Sequence, residues 1–323
     1  MSVSQQRRKS ALLVAALAAG SIVATVALAA STPVPVKTTR HNEVGPTAGS
    51  GWLVWSKSRE KRTSPFDLWA QHAPARAFRL NPKDTQAYGG GIDGTKLLYQ
   101  LIRGQFATES DLRLFDLESR RRQALPSGIN TTNWECCGTI SGDWILFSRG
   151  RAYSPGRQLV MLRNLVTGEQ RVLDSLRNRN GLVSAGQING NYAVWHKCNP
   201  YPQCVVYRYE LTTATATALP TVPAKVVYSP SVNPYGTVYY LQSTRGCGKS
   251  VQLMKQRLVG LPEVLASLPP GRDGDVTYAD TVPPDPPSET ATTHVYFDRV
   301  VCRKQAWDIY RADDLERLPP PNP

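Results

Sequence analysis

Six short apolar stretches, each containing an aromatic residue, recur along the chain, and this repeat constrains the fold more than any other feature. The aromatic residues are Trp55, Tyr99, Phe147, Trp195, Tyr240 and Phe297. They are separated by 44, 48, 48, 45 and 57 residues. Five of the six stretches have a glycine shortly upstream, and three have Asp-Gly, Gly-Asp or Asn-Gly there. These dipeptides supply the positive φ of a tight hairpin turn, so each stretch is predicted to be a strand of a hairpin.

Each aromatic stretch is followed by a strand of alternating pattern, as in residues 111–117, 158–165, 204–211 and 250–258. A turn and a short last strand come next, as in residues 167–169 and 170–173. A unit of about 45 residues with four short strands cannot bury its faces alone, so the units must stack. We therefore predict an all-β chain, a six-bladed β-propeller of four-stranded antiparallel blades. The longer last interval is explained by an inserted loop at residues 281–290.

The order of these elements resembles the TolB-like superfamily of six-bladed propellers. It runs from a turn glycine through an apolar run ending in an aromatic residue, a loop and an alternating strand to Thr-Gly-Glu and a short strand. The segment YSPSVNPYGTVYYL, residues 228–241, is similar to the Ser-Pro-Asp-Gly turn of those repeats, although it lacks the Asp-Gly. The resemblance covers residues 45–315. It implies the fold, and a function among binding modules, peptidase accessory domains and some enzymes.

The N-terminus predicts export. Arg7, Arg8 and Lys9 precede an uncharged apolar run from Ala11 to Ala30, and Ala27-Leu28-Ala29 fits a cleavage site. We interpret residues 1–29 as a signal peptide. The alternative is an uncleaved anchor, since the run is long enough to span a bilayer.

The remaining chain divides into three parts. Residues 45–318 are predicted to form the propeller, and residues 319–323 form a proline-rich tail. Residues 30–44 form an N-terminal segment whose stretch 31–40 is a candidate ring-closing outer strand of the last blade. Pro33 and Pro35 restrict that strand to an edge, because proline cannot donate to a sheet ladder.

Six cysteines lie outside the signal segment, and in an oxidising compartment they are expected to pair. Cys198 and Cys204 flank one hairpin loop and are expected to form a disulfide. Cys247 and Cys302 fall in equivalent loops of neighbouring blades, which makes a bridge between them plausible. The adjacent Cys136 and Cys137 are left. Either they form an eight-membered disulfide ring with each other, or one of them pairs with another cysteine. Their role is either that of a rigid structural turn or that of a redox or ligand-contacting element.

The net charge of +13 becomes +10 when the three basic residues of the signal segment are removed. This charge suits an anionic wall polymer, but the basic residues are spread over many turns and also fit ordinary surface charge. We expect a monomer whose partner is a protein, a peptide or an anionic cell-wall polymer. We expect no specific nucleic acid, and a membrane only if the signal segment is retained.

The sequence contains no catalytic or cofactor motif in the structural context that the motif requires. Gly89, Gly91 and Gly94 match Gly-x-Gly-x-x-Gly, but a strand follows rather than a helix, so we assign this stretch to a hairpin. The cysteine spacing does not fit a zinc site. No cofactor and no metal are expected.

Loop residues near the channel mouths are the candidate ligand-binding residues, because propeller sites lie on loops between strands. They are Trp134, Glu135, Tyr153, Asn199 and Tyr201. The sequence favours a secreted, non-catalytic binding module at the cell envelope or outside it. The alternative is an extracellular hydrolase or lyase that acts on a carbohydrate or lactone at a channel mouth.

Overall fold

The structure, a computed structural model, describes residues 31–59, 65–103, 109–150, 156–221, 225–228, 230–244, 249–271, 277–282, 290–300 and 307–317. Antiparallel strands dominate these residues. In chain order they are β1 (Val34–Lys37), β2 (Glu43–Gly49), β3 (Trp52–Ser58), β4 (Phe66–His72), β5 (Phe78–Arg79), β6 (Gln86–Asp93), β7 (Lys96–Arg103), β8 (Glu109–Asp116), β9 (Arg121–Gln123), β10 (Glu135–Ser141), β11 (Trp144–Arg149), β12 (Gln158–Asn164) and β13 (Gln170–Leu176). They continue with β14 (Leu182–Asn189), β15 (Tyr192–Cys198), β16 (Cys204–Glu210), β17 (Thr215–Ala218), β18 (Val226–Val227), β19 (Ser231–Val232), β20 (Val238–Ser243), β21 (Lys249–Gln256), β22 (Glu263–Gly271), β23 (Thr277–Val282), β24 (Thr290–Val300) and β25 (Trp307–Arg317).

The strands form six sheets, which confirms the predicted six-bladed propeller. Blades one to four are the sheets β2–β5, β6–β9, β10–β13 and β14–β17. In blade five the first strand is divided into β18 and β19, which both pair with β20, and β21 and β22 follow. Blade six has the order β23, β24, β25 and β1.

The N-terminal segment supplies the fourth strand of blade six. β1 pairs antiparallel with β25, with Val34 opposite Arg311 and Lys37 opposite Ile309. The backbone N–H of Ser31 also donates to the carbonyl of Leu265 in blade five. Strands from opposite ends of the described chain therefore join in one sheet, which closes the ring of blades.

The hairpin turns between the first two strands of blades one to four show the positive φ that the sequence predicts. The turn residues are Ser50, Gly94, Gly142 and Gly190, with φ between 51° and 57°. Neighbouring turns are linked, because the N–H of Gly142 donates to the Asp93 carboxylate at 2.8 Å. The next blade repeats the link, with the N–H of Gly190 donating to Ser141 Oγ at 2.9 Å.

The repeated aromatic residues lie in the second strand of each blade, where they fill the layers between blades. Tyr99, Phe147 and Phe297 are fully buried, and Trp195 and Tyr240 are 1% exposed. One apolar cluster joins Val54 and Leu68 of blade one to Leu97 and Tyr99 of blade two. The core is therefore a set of interblade layers, as expected for units that bury their faces only by stacking.

A β-bulge interrupts the innermost strand of each of blades one to four at the same place. The pairing with the second strand shifts between Val44 and Thr47, Tyr88 and Gly91, Cys136 and Thr139, and Ala185 and Ile188. Of the three glycines that match Gly-x-Gly-x-x-Gly, Gly89 and Gly91 lie within β6, and Gly94 lies in the turn after it. The whole match therefore lies in the hairpin of β6 and β7, as the sequence predicts.

His196 in β15 gives the fold a pH dependence. The residue is 4% exposed, and burial lowers the pKa of its imidazole to about 4. An unfolded histidine has a pKa near 6.5. Between about pH 4 and pH 6.5, His196 is therefore protonated in the unfolded chain and neutral in the native chain. This component of stability is present at pH 7 and is lost as the pH falls from about 6.5 to about 4.

We expect urea titrations at pH 7 and pH 4.5 to show a loss of about 2 to 3 kcal/mol from His196. The variant His196→Gln should show a smaller loss than the wild type over the same interval. The exposed residue His72 supplies the control. His72→Gln should keep the wild-type difference, and an unchanged difference in His196→Gln would contradict the assignment.

Candidate functional site at the upper mouth of the channel

The six innermost strands surround an axial channel that holds two pockets. The upper pocket lies where the innermost strands of blades one to four begin, and its cavity measures about 330 Å³. The lower pocket lies where these strands end, and its cavity measures about 340 Å³. Residues of all six blades line each pocket, so both lie on the axis of the ring.

Tyr278 and Gln187 line both pockets and form the partition between them. The Tyr278 hydroxyl crosses from blade six to blade two, where it accepts from the N–H of Ile92 at 3.0 Å and donates to its carbonyl at 3.2 Å. Gln187 of blade four donates to the carbonyl of Ala279 at 2.8 Å and accepts from its N–H at 3.0 Å. Both side chains are nearly fully buried. The channel is thus blocked at mid-height, and each mouth is a separate blind pocket.

Aromatic side chains form much of the wall of the upper pocket. Phe66 of blade one and Tyr88 of blade two pack with ring centroids 5.4 Å apart, and Trp307 of blade six lines the same pocket. Burial raises the pKa of Tyr88 to about 12, so its hydroxyl is neutral at physiological pH. The carboxylate of Asp298 also lines the pocket and accepts from the N–H of Gly45 at 2.8 Å. A pocket of this kind suits an apolar group with few polar contacts.

The lower pocket is more polar. Ser50, Asp93, Ser141, Asn189 and Asp280 contribute to its lining. Burial raises the pKa of Asp280, and the neighbouring His294 opposes that effect. The side chains of Asp93 and Ser141 hold the turns of the next blades, so part of this polar lining serves the fold.

Trp134 and Glu135 lie at the start of blade three's innermost strand, on the upper side. Trp134 is half-buried, and its carbonyl accepts from the N–H of Gly150 at 2.8 Å. Glu135 is fully buried, and its carboxylate accepts from Arg149 at 3.0 Å and from the Thr131 hydroxyl at 2.7 Å. Neither residue lines either pocket. Their predicted contact with a ligand stays a prediction.

Asn199 and Tyr201 lie in the loop between β15 and β16, also on the upper side but outside the channel. The Asn199 side chain accepts from Asn178 at 2.6 Å, and the N–H of Tyr201 donates to the carbonyl of Asn180 at 2.8 Å. The predicted Cys198–Cys204 disulfide spans this loop and is confirmed. Tyr153, Cys247 and Cys302 lie outside the described residues, as does the predicted signal segment. The plausible Cys247–Cys302 bridge therefore remains untested.

Cys137 is the predicted residue that reaches the channel wall. Cys136 and Cys137 occupy the bulge of β10, with their sulfur atoms 2.7 Å apart, and Cys137 lines the upper pocket. Sequence reasoning missed the other side chains that shape this pocket, above all Phe66, Tyr88, Trp307 and the two partition residues. Tyr88, Gln187 and Tyr278 lie in innermost strands, whereas Phe66 and Trp307 begin the third strands of their blades. Nothing in the local pattern shows which of these side chains point to the axis.

Among the described residues, no group of three or more His, Cys, Asp or Glu side chains is arranged to hold a metal ion. The same part of the chain contains no helix that has both the length and the apolar character to cross a bilayer.

The geometry defines a six-bladed propeller with a blocked channel and an apolar upper pocket, and solved structures share this fold. The putative TolB from Agrobacterium tumefaciens matches with a TM-score of 0.55 at 11% identity, over 85% of this chain and 91% of that chain. TolB from Acinetobacter baumannii matches with a TM-score of 0.53 at 12% identity, over 83% of this chain and 65% of that chain. The chain therefore shares the six-bladed propeller fold of these two TolB structures, and at these identities the likeness concerns the fold alone.

Oligogalacturonate lyase in complex with manganese also matches, with a TM-score of 0.49 at 10% identity, over 90% of this chain and 97% of that chain. A score of this size carries no argument about function. No protein-family model matches the sequence, and no curated protein matches it.

Proposed function

We propose that the protein is a secreted, non-catalytic binding module whose upper pocket receives an apolar side chain of a protein or peptide partner in the cell envelope. The observation that carries this proposal is the blind pocket itself, which is walled by Phe66, Tyr88 and Trp307 and closed below by Tyr278 and Gln187. A volume of about 330 Å³ is at the lower end for ligand pockets, so it suits one or two side chains rather than a polymer.

The fold and the chemistry of the chain support the proposed place and partner. The TolB-like fold is one that the sequence resemblance links to binding modules, among other functions. The Cys198–Cys204 disulfide suits an oxidising compartment, and the N-terminal segment has the pattern of an export signal. The formal charge of +10 would attract anionic wall polymers over a distance but is screened by salt, so we assign it to steering.

The test is retention of the purified protein on cell-envelope fractions at low and high salt. We expect retention to survive high salt and to fall at least about tenfold in Val44→Trp, because the larger side chain would fill the pocket that the half-buried Val44 lines. The matched control is Val172→Trp, which places the same side chain at an exposed position of β13.

Each outcome of this comparison decides the proposal. Equal retention of the wild type and both variants at high salt would place the partner away from the upper pocket. Retention of all three proteins that disappears at high salt would reduce the interaction to charge alone. Circular dichroism and thermal unfolding must first show that Val44→Trp is folded, and Val44→Arg provides a second pocket variant.

A further inference from the structure

The second of the adjacent cysteines of blade three, Cys137, occupies a backbone position that glycine takes in blade one. Cys137 has a φ of 57°, and Gly45, at the same place in the bulge of β2, has a φ of 59°. A cysteine rarely adopts this left-handed conformation. The sequence therefore places a thiol where the local backbone would favour glycine.

The bulge also releases this part of the strand from its neighbour. Pairing with β11 holds Cys136 opposite Ser148 and resumes only at Thr139, opposite Leu146. Adjacent Cα atoms are about 3.8 Å apart, closer than the two halves of an ordinary disulfide, so a ring between neighbours needs an irregular backbone. The bulge at Cys137 provides one, and the two sulfur atoms already lie 2.7 Å apart.

The surroundings make the two sulfur atoms unequal. The pKa of the Cys136 thiol is raised well above its usual value, first by its interaction with Cys137 and second by burial. Cys137 lines the upper pocket, and its sulfur lies 3.7 Å from the Ser184 hydroxyl oxygen. Cys136 is not among the residues that line the pocket, so a reagent that enters it reaches Cys137 first.

We propose that Cys136 and Cys137 form a redox modification site on the wall of the upper pocket, which a small-molecule disulfide oxidises to a vicinal disulfide. The proposal concerns the chemistry of the two thiols and holds whatever occupies the pocket. It selects the ring from the alternatives that the cysteine pattern leaves open. It also assigns a ligand class, low-molecular-weight thiols and disulfides, to this part of the wall.

The reaction is two successive thiol–disulfide exchanges. The Cys137 thiolate attacks one sulfur of an external disulfide R–S–S–R, the S–S bond of the reagent breaks, and R–S⁻ leaves. The Cys136 sulfur, after losing its proton, then attacks Cys137 in the mixed disulfide and displaces the second R–S⁻. The two protons of the cysteine thiols end on the two R–S⁻ products. The protein loses two electrons, and the reagent is reduced to two R–SH.

Tryptic mapping reads this site without interference from the other cysteines. Cleavage after Arg122 and Arg149 yields a peptide, residues 123–149, that contains Cys136 and Cys137 and no other cysteine. Cleavage after Lys197 and Arg208 isolates Cys198 and Cys204 in the same way. The confirmed Cys198–Cys204 bridge is therefore an internal standard in the same digest.

The experiment treats the full chain, exported and purified from an oxidising compartment, with graded dithiothreitol or with oxidised and reduced glutathione. The protein is then denatured, labelled with N-ethylmaleimide and digested. We expect peptide 123–149 to carry no label before reduction and two labels after it. Half-reduction should need roughly a tenfold lower dithiothreitol concentration than the Cys198–Cys204 bridge, because bridges forced out of ordinary geometry are more easily reduced.

The variant Cys137→Gly should keep the fold, since glycine is the residue at the matching position of blade one, and its peptide should carry one label without reduction. Two labels on the unreduced wild-type peptide after incubation with oxidised glutathione would overturn the proposal. A disulfide that joins peptide 123–149 to another peptide would also overturn it. Both results are read from the wild-type protein, so the test does not depend on the folding of the variant.

Discussion

Replacement of Asp314 by alanine is expected to lower the free energy of unfolding by about 3 to 5 kcal/mol, because it leaves the buried Lys255 ammonium group with only the exposed Glu263 carboxylate, 4.0 Å away. Asp314 of blade six accepts from Lys255 of blade five at 2.8 Å and from the Tyr239 hydroxyl at 2.9 Å. The side chains of Lys255 and Asp314 are only 6% and 4% exposed. Urea unfolding of the wild type and the variant at neutral pH measures the difference.

The neighbouring carboxylate provides the control for this prediction. Asp313 contacts Arg311 and His294, and its side chain is 42% exposed, so Asp313→Ala should cost about 1 kcal/mol or less. The double variant Lys255→Met/Asp314→Leu should recover part of the stability lost in Asp314→Ala, because it removes both charges together. A cost for Asp314→Ala no larger than that for Asp313→Ala would show that the buried pair does not hold blades five and six together.

Replacement of Gly90 by alanine is expected to cost about 3 kcal/mol or more, because the interior has no space for a methyl group there. A Cβ on Gly90 would overlap the carbonyl oxygens of Gly138 in blade three and Leu98 in blade two. These contacts are with backbone atoms, so relief requires the innermost strands of two blades to move apart. Thermal and urea unfolding measure the loss.

Gly94→Ala separates this packing effect from the general cost of replacing glycine. Gly94 lies in a hairpin turn with a φ of 57°, and a Cβ there would meet nothing within 4 Å. Alanine at Gly94 should cost about 1 kcal/mol through backbone strain alone. Equal losses in Gly90→Ala and Gly94→Ala would contradict the close approach of the blades at the bulge.

The repeat was sufficient to predict the number and composition of the blades. A period-two pattern identifies a strand with one buried face, and Asp-Gly, Gly-Asp and Asn-Gly identify tight turns. Both signals are local, because each is a pattern of residues that are neighbours in sequence. The Cys198–Cys204 disulfide is local in the same sense, since it spans one hairpin loop. The bulge at Gly89 to Gly91 is not predictable from local sequence, because glycine suits both a turn and a bulge. Only the contacts with neighbouring blades decide in favour of a bulge.

The amino-acid sequence by itself therefore determined the strands, their turns and the count of six units, because each depends on contacts between residues that are near in the chain. The tertiary structure decided the closed channel and the candidate site. The Tyr278 hydroxyl meets Ile92 across 186 positions, and Gln187 meets Ala279 across 92. Contacts over such separations exist only after the ring closes, since closure sets which side chain of each innermost strand points to the axis and what it meets there.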